Sequence, residues 1–130
     1  MSRNILVVDD CGTTRKLLSY MVRSGGFSSI AASNGIEAMA KMAQNDIHLI
    51  VTDLNMPQMD GLELIKAVRD DGNHKDVPII MLTTEAEERD KRRGLEAGAD
   101  FYLTKPVTTE SLIHHIEKLL QVTRTQNKGG

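Results

Sequence analysis

A parallel β-sheet covered by helices on both faces is the fold this chain predicts. Three observations carry it. Short apolar runs alternate with helical patterns five times along the 130 residues. Most of the runs are nearly continuous in apolar residues, the pattern of strands buried on both faces. The links are short, so each helix is a crossover between parallel strands, and right-handed crossovers leave few topologies.

The elements follow in order. The first strand is predicted at 5–8, Ile5-Leu6-Val7-Val8, and it ends on Asp9-Asp10. The first helix sets Leu17, Leu18, Met21 and Val22 on one face and stops at Gly25-Gly26. The second strand, 27–31, holds Ser28 and Ser29 and is the most polar, which suits a sheet edge. Asn34 and Glu37 form a capping pair for the second helix, whose face is Ile36, Met39 and Ala40. The third strand, 47–52, ends on Asp53. Asp60 and Glu63 cap the third helix, which turns Leu62, Ile65 and Val68 inward. The fourth strand, 77–82, precedes Thr83, and Thr84 with Glu87 caps the fourth helix. The fifth strand, 99–103, leads to Lys105-Pro106, and the fifth helix carries Leu112, Ile113, Ile116, Leu119 and Leu120. Residues 1–122 read as one domain, and 123–130 as a flexible polar tail ending Gly-Gly.

Composition narrows the class. Hydrophobic residues are 40%, charged residues 26%, and the formal charge is -2. These are ordinary values for a soluble globular domain, and they give no reason to expect nucleic acid or a membrane surface as partner. No apolar run approaches the roughly 20 residues of a membrane span. The N-terminus lacks a signal-peptide pattern. Cys11 is the one cysteine, so no internal disulfide can form, which fits a reducing cytoplasm.

In such sheets ligands bind outside the carboxyl ends of the strands. Asp9, Asp10, Asp53, Thr83 and Lys105 all fall at those ends. Crowded carboxylates repel: two like charges about 4 Å apart cost about 4 kcal/mol at an effective dielectric near 20. A divalent cation neutralises such a cluster, and an all-oxygen set suits Mg²⁺ or Mn²⁺. Lys105 adds a point charge suited to a phosphate oxygen or a carboxylate. Thr83 adds a hydroxyl; alone it would read as a helix cap, although Thr84 fits that role better. Pro106 restricts the backbone of Lys105. Three carboxylates, a hydroxyl and an ammonium form a phosphoryl-transfer constellation.

The segment Asp53-Leu54-Asn55-Met56-Pro57-Gln58-Met59-Asp60-Gly61 is the most specific stretch. With Val7-Val8-Asp9-Asp10, Leu82-Thr83, Gly98-Ala99-Asp100 and Lys105-Pro106, it makes the chain resemble the receiver domains of two-component response regulators, closely the single-domain chemotaxis (CheY-like) type. The resemblance runs from about residue 4 to 120. It implies a flavodoxin-like (βα)5 fold with strand order 2-1-3-4-5 and a receiver domain over 1–122. It implies that Asp53 accepts a phosphoryl group from a sensor histidine kinase. Asp10 and Asp53 would ligate Mg²⁺ directly, Asp9 through water, and Asn55 through its backbone carbonyl. Thr83 and Lys105 would hold phosphoryl oxygens, Tyr102 would be the switch aromatic, and Lys105-Pro106 would be cis. Asn55 and Glu85 would tune dephosphorylation and the signal lifetime. The output face would be the fourth helix, fifth strand and fifth helix, bound by a protein target such as a flagellar motor switch. The resemblance also implies a monomeric cytoplasmic switch that dephosphorylates itself and is no turnover enzyme, with a phosphorelay shuttle, a phosphate sink or the receiver of a longer regulator as alternatives.

Other phosphate chemistries fit less well. A haloacid-dehalogenase-type phosphatase needs Asp-x-Asp, but the residues two beyond Asp9 and Asp10 are Cys11 and Gly12. A flavodoxin-type flavin protein needs a hydroxyl- and glycine-rich loop where two aspartates stand. Cys11 reads as a packed small residue whose thiol pKa its acidic neighbours raise. In 85–97 only Ala86, Leu95 and Ala97 offer apolar area, and Gly94 weakens a helix by about 1 kcal/mol, so the fourth helix is expected to dock loosely. Its Lys91-Arg92-Arg93 would suit an acidic partner. His114 and His115 are helix neighbours that diverge by about 100°, a poor metal pair.

Overall fold

The computed structural model describes residues 3–56, 58–84 and 88–129, with the side chains of 88 and 122–129 left aside. The elements are β1 (Asn4–Val8), α1 (Gly12–Ser24), β2 (Ser28–Ala32), α2 (Gly35–Gln44), β3 (Leu49–Asp53), α3 (Gly61–Asp70), β4 (Ile79–Thr84), α4 (Glu88–Ala97), β5 (Phe101–Lys105) and α5 (Thr109–Gly129). All strand pairings are parallel, in the order β2-β1-β3-β4-β5. This is the doubly wound, flavodoxin-like architecture that the resemblance implies. β3, β4 and β5 begin and end later than the apolar runs suggest. Pairing explains the shift: Asp53 aligns with Leu82 and Thr84 with Lys105, so polar strand ends join the ladder.

Alternation along the central strands divides the core in two. Ile5, Val7, Leu49, Val51, Ile80 and Leu82 face α1 and α5, meeting Leu18, Val22, Leu112 and Ile116. Leu6, Val8, Ile50, Ile79 and Met81 face the other layer, meeting Ala38, Met42, Leu64, Ile65 and Val68. The strands are therefore covered on both sides, as their continuous apolar character predicts.

Two helix faces differ from prediction. Leu17 lies half exposed, and α1 buries Leu18, Ser19, Met21 and Val22 instead. In α2 the buried stripe is Gly35, Ala38 and Met42, while Ile36 is 59% exposed and Ala40 is exposed. Gly35 causes that rotation. Its N–H donates to the Met59 carbonyl at 3.0 Å, and a Cβ there would sit 2.6 Å from Met59 Cγ. With Gly35 pressed onto the β3–α3 loop, Ile36 turns to solvent.

Caps form where the sequence places them on α2 and α3. Asn34 Oδ1 accepts from the Glu37 N–H at 2.8 Å. Asp60 and Glu63 form the reciprocal pair, at 2.9 and 3.0 Å. Thr84 closes β4, four residues before the first residue of α4, and Glu87 lies outside the described residues. The backbone of α5 stays helical through the segment predicted as a flexible tail, up to Gly129. Once a helix is nucleated each added residue gains a backbone hydrogen bond, and nothing between Pro106 and Gly129 is a glycine or proline.

Candidate functional site

The carboxyl ends of β1, β3, β4 and β5 converge on one cluster. Asp53 is the last residue of β3 and Lys105 the last of β5. Asp9 directly follows β1; its N–H donates to the Ala32 carbonyl of β2 at 3.1 Å, and its side chain is only 1% exposed. Carboxylate oxygens of Asp9, Asp10 and Asp53 lie within 4.8 Å of one another, the one such acidic grouping among the described residues.

Lys105 partly neutralises the cluster. Its Nζ lies 3.0 Å from Asp9 Oδ2 and 3.3 Å from Asp53 Oδ1. The other Asp9 oxygen accepts from the Cys11 N–H at 2.9 Å. Burial pushes the Asp53 pKa above the usual carboxylate range, the Lys105 charge opposes this, and the Asp9 and Asp10 charges add to it. For Lys105, burial alone would lower the pKa; the hydrogen bond from its ammonium to Asp9 and the charges of Asp53 and Asp9 outweigh it and raise it. Three carboxylates against one ammonium leave two excess negative charges. That excess and an all-oxygen donor set fit a hard divalent cation such as Mg²⁺.

Thr83 lies inside β4 rather than at a helix start. Its hydroxyl is buried and has no hydrogen-bond partner among the described residues. A buried unpaired hydroxyl costs about 1–3 kcal/mol, and such a group in a native site asks for a missing partner. Tyr102 is the second residue of β5, on the same sheet face as Met81 of β4. The Lys105–Pro106 peptide is cis. Asn55 is exposed in the β3–α3 loop; Glu85 and Pro57 lie outside the described residues.

Glycine geometry holds the loop after Asp53. A Cβ on Gly61 would collide with the Asp53 carbonyl and lie 2.7 Å from Leu54 Cα, and the Gly61 N–H donates to the Leu54 carbonyl at 2.9 Å. Within that loop Gln58 adopts φ 63°, in the left-handed region, and accepts from Asn34 Nδ2 at 3.1 Å.

Some features escape the sequence. Arg15 Nη1 donates to the Asp9 carbonyl at 2.8 Å, steadying the loop that carries two of the carboxylates. An arginine in the first turns of α1 was the available signal, since that turn lies over the strand end. Cys11 overturns the expectation of a packed thiol with raised pKa. It is exposed, and hydrogen bonds from the Thr14 side chain, the Thr14 backbone and the Thr13 backbone outweigh desolvation and the Asp9 charge and lower its pKa. The N-terminus of α1 supplies those donors, which proximity to aspartates in sequence does not reveal. The rings of His114 and His115 lie 5.1 Å apart, nearly perpendicular, and His115 Nδ1 donates to the Ser111 carbonyl at 2.7 Å.

Known proteins resemble this chain in sequence and fold. The family model described as response regulator receiver domain matches residues 5–117. Chemotaxis protein CheY1 of Helicobacter pylori is 39% identical over 118 residues, 89% of this chain and 95% of that protein. Transcriptional regulatory protein SrrA of Staphylococcus aureus is 39% identical over 127 residues, 98% of this chain but 51% of SrrA. The structure of Vibrio cholerae chemotaxis protein CheY4 superposes with a TM-score of 0.87 at 35% identity, covering 92% of this chain and 99% of that one.

Proposed function

The chain belongs to the response regulator receiver domain family, and on that premise we propose that Asp53 is the phosphorylation site of a signalling switch. The carrying observation is the juxtaposition at adjoining strand ends of Asp53, Lys105 and the Thr83 hydroxyl, which is unpartnered among the described residues. A sensor histidine kinase is the donor. Lys105 engages Asp53 Oδ1, leaving Oδ2 as nucleophile. That oxygen bonds to phosphorus as the phosphorus–nitrogen bond of the phosphohistidine breaks, and the imidazole nitrogen leaves with the electron pair and takes a proton. Lys105 and Thr83 then hold oxygens of the transferred group. Such catalysis is positioning and charge stabilisation more than covalent help.

Asp9, Asp10, Asp53 and the Asn55 backbone carbonyl are the residues that would hold Mg²⁺. Bound there, Mg²⁺ supplies positive charge to the phosphoryl oxygens. The aspartyl phosphate is an anhydride that water cleaves, with Asn55 and Glu85 tuning its lifetime. The protein is on this reading a switch and not a turnover enzyme, acting as a cytoplasmic monomer. Its output face is α4, β5 and α5, and the similarity to chemotaxis proteins supports a chemotaxis-type target such as a flagellar motor switch. The match to half of SrrA supports a second reading, the receiver segment of a longer regulator.

Incubation with Mg²⁺ and acetyl phosphate tests the assignment. Intact mass should rise by one phosphoryl group in wild type and not in Asp53→Asn, and Tyr102 resonances should move in wild type alone. Equal responses from the two proteins would sink it.

A further inference from the structure

The Lys91 ammonium lies 4.7 Å from the centroid of the Tyr102 ring, inside the range of a cation–π contact. The surroundings give this contact leverage. The last turn of α4 is fixed: Gly94 is buried against Met81, Arg69 Nε donates to the Gly98 carbonyl at 2.9 Å, and Arg69 Nη2 reaches Asp100 at 3.0 Å. In the first half of the helix Arg89 and Arg92 are exposed, and Lys91 reaches across to β5. On the other side of β5 the Phe101 ring stacks on His115 of α5 at 4.5 Å, and Tyr102 lies 5.9 Å from Phe101. Tyr102 thus has an aromatic neighbour toward α5 and a cation toward α4. It shares its sheet face with the buried Thr83 hydroxyl, through the paired registers Met81 with Tyr102 and Thr83 with Thr104. A rotamer change that carries the ring toward Thr83 takes its π-face from Lys91.

We propose that Lys91 is a positioning residue that latches Tyr102 in its resting orientation through the cation–π contact, and so sets how readily the domain leaves its unphosphorylated state. The proposal rests on the phosphorylation reading above. A contact of this kind at a partly exposed site biases a two-state equilibrium by about two- to five-fold.

The test is beryllofluoride affinity in the presence of Mg²⁺, read by NMR at Thr83 and Tyr102. Lys91→Met should bind about two- to five-fold tighter than wild type, because the ligand no longer breaks the latch. Lys91→Arg keeps the cation and should match wild type. In a Tyr102→Leu background the Lys91→Met effect should shrink, and the difference between the two effects measures the latch in a double-mutant cycle. The Lys91 ε-methylene protons of the wild type should lose their ring-current shift on saturation. Wild type that binds while Lys91→Met binds equally, or an equal Lys91→Met effect in the Tyr102→Leu background, overturns the latch and leaves the phosphorylation site standing. Wild type that does not bind beryllofluoride overturns both.

Discussion

Asp53 is held between burial, which disfavours its charge, and Lys105, which favours it; burial prevails and its pKa is raised. A carboxyl whose folded pKa exceeds its unfolded one stabilises the fold while protonated, and that contribution is lost as pH rises through the folded value. At neutral pH the ionised group therefore costs stability. Asp53→Asn should raise metal-free stability at pH 7 by on the order of 1 kcal/mol, measured by urea unfolding, while abolishing phosphorylation. Asp71 has the opposite sign. Hydrogen bonds from His74 and from the Asn73 N–H lower its pKa. Its contribution is present above the unfolded pKa and disappears as pH falls through the depressed folded value. Unfolding curves of wild type and Asp71→Asn should differ at neutral pH and converge in acid below that value. The reactive side chains were legible because a polar residue ending an apolar run stands out. Cys11 and the Lys91–Tyr102 pair were not, since helix-terminal donors and cross-element contacts leave no local pattern.

At the scale of elements, glycines decide how closely helices approach. Gly61 lets α3 start against the Asp53 carbonyl and the Leu54 backbone, neither of which can turn aside as a side-chain tip could. Gly61→Ala should destabilise by about 1–3 kcal/mol and slow phosphorylation, because relief requires moving the backbone of the acceptor. Urea unfolding and the phosphorylation rate of the same variant check both halves. Gly94 teaches a related lesson. Propensity alone makes it a weak point of α4, but its Cα faces Met81, which is fully buried, and a Cβ would collide with that sulfur. The glycine is there for close helix–sheet packing. The same holds for α2, where the docking of Gly35 on Met59, rather than hydrophobicity, decides that Ile36 faces solvent.

For the whole molecule the excess of negative charge at one end of the sheet predicts a thermal response to metal. A ligand at ten times its dissociation constant adds about 1.4 kcal/mol to stability. Added Mg²⁺ should then raise the melting temperature by about 3–8 °C, and scanning calorimetry should show no shift for a double variant lacking the carboxylates of Asp10 and Asp53. The parallel sheet, the two capped helices α2 and α3, and the strand-end residues are all readable along the chain. These follow from local signals: period, capping chemistry and polar punctuation. Strand order was legible only by resemblance, because pairing partners lie tens of residues apart. Only packing sets buried Asp9 against Lys105 across 96 positions, leaves the Thr83 hydroxyl without a partner among the described residues, and lays Lys91 over Tyr102. Each depends on which elements the core brings side by side, and long-range packing writes no periodicity into the chain.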